Sequence, residues 1–341
     1  MGVKPEPLSC RAAGVRLASP RVTEAGRASA IAVTAVVCTY RRRECLDRVL
    51  GSLAAQTLSP EHCEVLVVDN APDDPEAETV VASARAEHFA ADPSRLRLVP
   101  CPAPGLSHAR NTGLAAARGE LVCFLDDDAV ASPTWLEAVE RTFAAHPRAG
   151  VVGGTIRLEP PAPRPRWLRP GWEHYWSHLI IPGNGPRPAR DWTEYPWGAN
   201  WSARRQPLLD AGGFSPDYGR TGDDFAGGEE IVAAAVLQRL GWEILLVPDA
   251  VVVHRPPADR YTLRHVWERI RSARREEYRQ RRDGHLGAAM RPGDVLMDAL
   301  RAGAAAVRPR PPGWHRRLEA LMRAAATLAL LPRLARDGRP S

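Results

Sequence analysis

Lysine is almost missing from this sequence: Lys4 is the only one among 46 basic residues, so the positive charge is carried by arginine. Arginine, alanine and proline are abundant together, as coding bias would make them, so the net charge of +6 is no argument for a nucleic-acid partner. Paired cysteine motifs are missing too. None of the six cysteines (Cys10, Cys38, Cys45, Cys63, Cys101, Cys123) belongs to a CxxC, and several lie in apolar runs where cysteine acts as a small hydrophobe. A reducing cytoplasm is the expected compartment. No stretch approaches the roughly 20 apolar residues of a spanning helix, and the N-terminus lacks a charged segment followed by an apolar one. Secretion and a transmembrane anchor are both argued against. What is present is material for a core: 44% of the 341 residues are hydrophobic, which excludes disorder throughout.

Residues 1–30 are rich in Pro, Arg, Ala and Ser without periodicity and read as a flexible leader. From Ile31 onward, apolar β-rich runs alternate with helical patterns: AIAVTAVVC with RECLDRVLGSLAAQ, CEVLVVD with PEAETVVASARAE, LRLVP with SHARNTGLAAAR, and ELVCFLD with PTWLEAVERTFAAH. This alternation predicts βαβ units stacked into a doubly wound, mostly parallel α/β sheet. In such sheets ligands bind beyond the carboxyl ends of the strands, where helix N-termini also point. The polar residues ending these strands are Thr39, Asp69 and the run Asp126, Asp127 and Asp128.

Three adjacent carboxylates raise one another's pKa unless something positive sits among them. A hard divalent cation, Mg²⁺ or Mn²⁺, shared with phosphate oxygens would answer that need. The alternative is a solvated acidic turn before the helix near Pro133. Between Pro160 and Pro196 the chain is rich in Pro and Trp, too irregular for a helix, and is expected to form a loop layer over the site. A second ordered block follows, with a helix from Glu229 and a strand, EILLVPDAVVVH. After Tyr261 the pattern is arginine-rich and helical, ending in the amphipathic WHRRLEALMRAAATLALLPRLA.

The runs VVCTYRRRECLDRVLGSLAAQT, EVLVVDNAPDD and PGLSHARNTGLAAARGELVCFLDDDAVASPTWL resemble, in order and spacing, the nucleotide-binding half of the family 2 glycosyltransferases, inverting enzymes of the GT-A fold. By that resemblance Thr39 and Tyr40 line a nucleoside pocket, Asp69 contacts the base, Arg110 lies near the nucleotide, and Asp126 and Asp127 face the ribose. Asp128, five residues before Pro133, would hold the cation on the diphosphate. Taken singly, Thr39 also suits a cap, Asp69 a turn and Arg110 a solvated helix face. WGANWSARR resembles the acceptor loop, making Trp197, Gly198 and Asn200 acceptor-binding residues. GGEEIVAAAVLQRLGWEI resembles the segment whose acidic pair supplies the catalytic base, Glu230 first and Glu229 as its rival. Their other use is to complement the helix dipole. His254 resembles a late histidine near the metal, with Arg255 and Arg260 as diphosphate partners, although a lone histidine also serves structure.

The resemblance divides the chain into a catalytic domain over 31–260 (nucleotide half 31–135, acceptor half 136–260) and a basic, amphipathic helical extension over 261–341. The implied partners are a nucleotide-diphosphate sugar donor and a sugar, lipid-linked or small-molecule acceptor, with no nucleic acid. Trp167, Trp172, Trp176, Trp192, Trp197 and Trp201 hint at a carbohydrate or apolar acceptor, though single tryptophans also fill cores. The extension suits either a peripheral membrane contact or packing against the domain or a second subunit. A sugar nucleotidyltransferase would use similar aspartates, but it calls for a Gly-rich phosphate loop where this chain has CTYRRR. A non-catalytic nucleotide-sugar-binding protein of the same fold is the remaining alternative.

Overall fold

The computed structural model describes residues 31–221, 227–307 and 314–337; the leader expected over 1–30 lies outside them. The strands are β1 (Val33–Thr39), β2 (Cys63–Asp69), β3 (Leu96–Pro100), β4 (Leu121–Asp126), β5 (Ala129–Ala131), β6 (Ala149–Leu158), β7 (Arg187–Pro188), β8 (Asn200–Arg204) and β9 (Glu243–His254). The helices are α1 (Arg43–Ala54), α2 (Glu76–Glu87), α3 (Leu106–Ala116), α4 (Trp135–Ala145), α5 (Arg205–Asp210), α6 (Glu229–Arg239), α7 (Leu263–Arg282), α8 (Pro292–Ala306), α9 (Trp314–Leu328) and α10 (Leu331–Asp337). The four predicted strand–helix pairs of the first half are all present. β1, β2 and β4 are apolar and closed off on both faces, as parallel strands must be when helices cover the sheet twice, while β3 at the edge of the sheet is only partly buried.

The strands form one sheet in the order β3-β2-β1-β4-β8-β6-β9-β5, with β7 also paired to β9. The pairs β3/β2, β2/β1, β1/β4 and β6/β9 are parallel, so the sheet is mostly parallel as expected. The antiparallel members were not foreseen: β8 enters between β4 and β6, and β5 and β7 both pair antiparallel with β9. The acceptor loop expected at Trp197–Arg205 is therefore a loop only up to Ala199, and Asn200 opens a central strand. The chain order reverses between β1 and β4, and register sets Thr39 opposite Asp69 and Cys38 opposite Asp126. The strand-end polar residues thus share one edge, at the crevice where doubly wound sheets bind ligands.

The segment before β8 wraps over this edge, and the C-terminal helices pack on it. Trp172, Tyr175 and Trp176 join Val266 and Ile270 of α7 and Ala326 of α9 in one apolar cluster. Glu319 of α9 accepts hydrogen bonds from Trp172 Nε1 and Tyr175 Oη, both at 2.9 Å. α7 and α9 are therefore packed against the segment that precedes β8. Among the described residues, no helix is long and apolar enough to cross a membrane.

Candidate active site

A cavity of about 510 Å³ opens at the carboxyl edge of the sheet, walled by the start of α3, the end of β4, the loops before β8, the start of α6, the end of β9 and one face of α7. Asp126 closes β4, and the chain turns directly after it. Across that turn Asp126 and Asp128 both meet His254, each offering a ligand atom within 4.8 Å of the others. Asp127 turns the opposite way, accepting from Thr39 Oγ1 and Arg42 Nη1, both at 2.9 Å. The run is thus divided differently from the expected pattern. Asp126 groups with Asp128 and the histidine rather than with Asp127.

His254 is buried between two acceptors: Nδ1 lies 2.7 Å from Trp176 O, and Nε2 lies 3.0 Å from Asp128 Oδ1. The carbonyl fixes the proton on Nδ1 and aims Nε2 at the carboxylate, the orientation that metal-binding histidines adopt. Burial opposes charge on this imidazole, but Asp128 raises its pKa above the ordinary value. Burial likewise opposes charge on Asp128, yet His254 and Arg42 hold its carboxyl below the usual range. Arg42 and Arg260 reach Asp128 Oδ2 at 3.0 and 3.1 Å. Two carboxylate oxygens and an imidazole nitrogen suit Mg²⁺ or Mn²⁺, so the residues fit the cation implied by the sequence. Arg255 is not at this cluster: its side chain turns to Glu159 at 2.9 Å, and only its backbone N–H meets Asp128 O.

Arg110, 3% exposed, links the two halves of the site. Its guanidinium hydrogen-bonds Glu229 and lies 3.6 Å from Asp126 and 3.9 Å from Glu230. Burial would lower its pKa, but these carboxylates raise it. Burial and the neighbouring Glu230 push Glu229 upward, with Arg110 pulling against them. Both glutamates line the cavity and keep a buried Oε2 without a hydrogen bond, but the Glu230 side chain is more exposed, 15% against 2%, and its Oε1 accepts from Gly198 N–H at 3.3 Å. Gly198 is required here by close approach, since a Cβ would lie 2.2 Å from Arg110 Nη2.

The other expected site residues separate into two groups. Thr39 and Asp69 flank a small recess beside the cavity, with Asp69 Oδ1 accepting from Ala71 N at 2.9 Å and its pKa raised by burial. Trp197 lines the cavity, as do Trp176 and Trp192. Tyr40 faces outward under the Arg41 guanidinium. Asn200 sits in the core, 1% exposed, with its amide fully used by Trp135 Nε1, Thr155 O and Ala250 O. Trp172 and Trp201 are core residues as well. Sequence reasoning missed Arg42, Arg220 and the α7 residues His265, Arg269, Glu276 and Gln280, all of which border these recesses.

Residues 34–209 match the family described as Glycosyl transferase family 2. The chain belongs to that family. It is 28% identical over 233 residues to the glucosyl-dolichyl phosphate glucuronosyltransferase of Haloferax volcanii, an alignment covering 65% of this chain and 69% of that one. It is 39% identical over 140 residues to the succinoglycan biosynthesis protein ExoM of Rhizobium meliloti, covering 40% of this chain and 43% of ExoM. The structure of the mannosyltransferase PcManGT from Pyrobaculum calidifontis, in complex with GDP-Man and Mn²⁺, matches with a TM-score of 0.59 and 22% identity over 90% of this chain and 88% of that one. This likeness establishes the fold, of the GT-A type expected from the sequence. The family 2 chain is a glycosyltransferase, and its Asp126–Asp128–His254 cluster has the composition to bind metal.

Proposed function

We propose that this glycosyltransferase is an inverting enzyme that moves a sugar from a nucleoside diphosphate to an acceptor hydroxyl, with Glu230 as base. The observation that carries this reading is the more exposed Glu230 carboxylate at the cavity wall, with Oε1 fixed by Gly198 and Oε2 making no hydrogen bond. Glu229 is tied to Arg110 and is the weaker candidate. Thr39, Tyr40 and Asp69 are assigned to the nucleoside, with Asp127 and Arg42 behind them. Asp126, Asp128 and His254 would hold Mg²⁺ or Mn²⁺, and such a cation, when bound, neutralises charge on a diphosphate leaving group. Arg260, already beside Asp128, is placed to take part of that negative charge. On the acceptor side, Trp197 and Gly198 border the space where a hydroxyl would approach Glu230. Glu230 takes the hydroxyl proton as the oxygen attacks the anomeric carbon. The bond to the diphosphate oxygen breaks on the opposite face, so one displacement inverts the centre.

The Mn²⁺ and GDP-Man bound by PcManGT support a metal and a nucleotide sugar for this chain. Nucleoside diphosphate release, screened over donors and candidate acceptors, tests the reading. Glu230→Gln is expected to cut turnover about 10²–10⁴-fold with nucleotide binding retained, and Glu229→Gln much less. Full activity in Glu230→Gln, or release indifferent to EDTA, would sink it.

A peripheral membrane contact is a separate proposal, supported by Leu296, Met297 and Leu300 of α8 and Leu321 and Leu328 of α9, all exposed beside Arg301, Arg316 and Arg317. Sedimentation with anionic vesicles, absent with neutral ones, is its expected signature. Equal recovery without lipid would dismiss it.

A further inference from the structure

We infer that α7, from the C-terminal extension, is a positioning element of the active site: Gln280, with Glu276, holds the Gly227–Gly228 turn that aims Glu230 into the cavity. The inference rests on the reading of Glu230 as base. The helix α6 that carries Glu229 and Glu230 begins without a side-chain cap among the described residues. Its first residues follow two glycines, the least restricted backbone a chain can have. Nothing within α6 therefore fixes the direction in which the two carboxylates leave it.

α7 supplies what is missing. The buried Gln280 donates from Nε2 to Gly228 O at 3.3 Å. Gly228 has φ +86°, in the left-handed region, and a Cβ there would lie 2.2 Å from Gln280 Nε2. Conformation and contact thus both demand glycine at this point. One turn earlier on α7, Glu276 accepts from Ser272 Oγ at 2.7 Å and from the Gly227 N–H. The Gly227–Gly228 turn is thereby held at both ends, at Gly227 N–H and Gly228 O, from one helix face. Glu229 is left facing Arg110 and Glu230 facing the cavity. The family match ends at residue 209, so α7 lies wholly beyond it.

Steady-state nucleoside diphosphate release in full-length variants tests the inference. Gln280→Met keeps the side chain's length and removes its donor, while Gln280→Glu sets a carboxylate against the Gly228 carbonyl. A base displaced by about 1 Å costs about 10- to 100-fold. The expected result is a kcat loss of that size in Gln280→Met and a larger one in Gln280→Glu. Donor KM and the affinities for UDP and GDP by calorimetry should hold within about twofold. Ser272→Ala, which loosens Glu276 by one hydrogen bond, should lower kcat in the same selective way, by less, and it guards against an unfolded Gln280 variant. Losses shared equally by kcat, KM and melting temperature, or no loss at all, would overturn the inference. If Glu230→Gln is fully active, the underlying reading has failed instead. If Glu230→Gln is inactive and the α7 variants behave as wild type, only the role of α7 falls.

Discussion

Replacing Arg110 with methionine tests whether one buried cation holds the two acidic clusters together. Methionine keeps most of the packing of the arginine stem over the Phe214 ring, where the guanidinium carbon lies 5.5 Å from the centroid, and deletes the charge. It leaves Glu229 (2% exposed), Glu230 and Asp126 without their shared counter-ion. Removing one partner of a buried pair costs about 3–5 kcal/mol. Burial and Glu230 already raise the folded pKa of Glu229, and losing Arg110 raises it further. The folded variant then binds more protons than the unfolded chain, so its stability falls as pH rises through the raised pKa. At low pH Glu229 takes a proton, and the cost drops toward that of an unsatisfied neutral group, about 1–3 kcal/mol. Urea denaturation of wild type and variant at pH 5.5 and pH 8 in EDTA reads both numbers. The larger one corresponds to a melting shift of roughly 4–7 °C in a chain of this size. A loss below about 1 kcal/mol at pH 8, or one that is the same at both pH values, would refute the argument.

Gly198→Ala is expected to lower turnover about 10- to 100-fold and to cost less stability than Arg110→Met, because its Cβ would push on Arg110 Nη2 while leaving the charge in place. Enzyme turnover and melting measured on the same sample check this. Asn200→Leu should do the opposite, costing about 3 kcal/mol in denaturation because Trp135 Nε1, Thr155 O and Ala250 O lose partners. Its activity per folded molecule should stay within about twofold; a selective loss of acceptor affinity would show that Asn200 meets the acceptor after all. Mn²⁺ should raise the melting temperature of the wild type, and Asp128→Asn should abolish that rise and lower turnover by about 100-fold or more. An unchanged response to Mn²⁺ would remove Asp128 from the metal site.

The first half of the fold was legible because β1 to β4 and α1 to α4 each carry their own periodicity. Once they were known to alternate, Thr39, Asp69 and Asp126 had to end on one edge. β8 was not legible, since five residues inserted antiparallel between β4 and β6 owe their state to their neighbours. Asn200 was misplaced for the same reason: in a loop its amide would face an acceptor, whereas in a central strand it serves the core. The grouping of Asp126 with Asp128 was not legible either, because it comes from the turn at Asp127 and Asp128 between β4 and β5 and not from the alternation of a strand. The inner face of α7 left almost no mark. His265, Arg269, Glu276 and Gln280 recur at helical spacing, but polar residues facing a polar cavity look like polar residues facing water.

That difficulty bears on where the working parts of the enzyme lie. The metal-type cluster belongs to β4 and β9, the candidate base to α6, and neither group touches the other directly. Arg110 on α3 reaches both, and α7 holds the turn before the base while its N-terminal half borders His254. On the proposed reading of Glu230, the distance between leaving group and base is set by two helices outside the strand-end motifs. A change in α3 or α7 can misalign the reaction while leaving every carboxylate in place. Loss of kcat with intact nucleotide binding is the mark such a change should leave, and it separates these helices from Asp128, whose loss should remove the metal response itself.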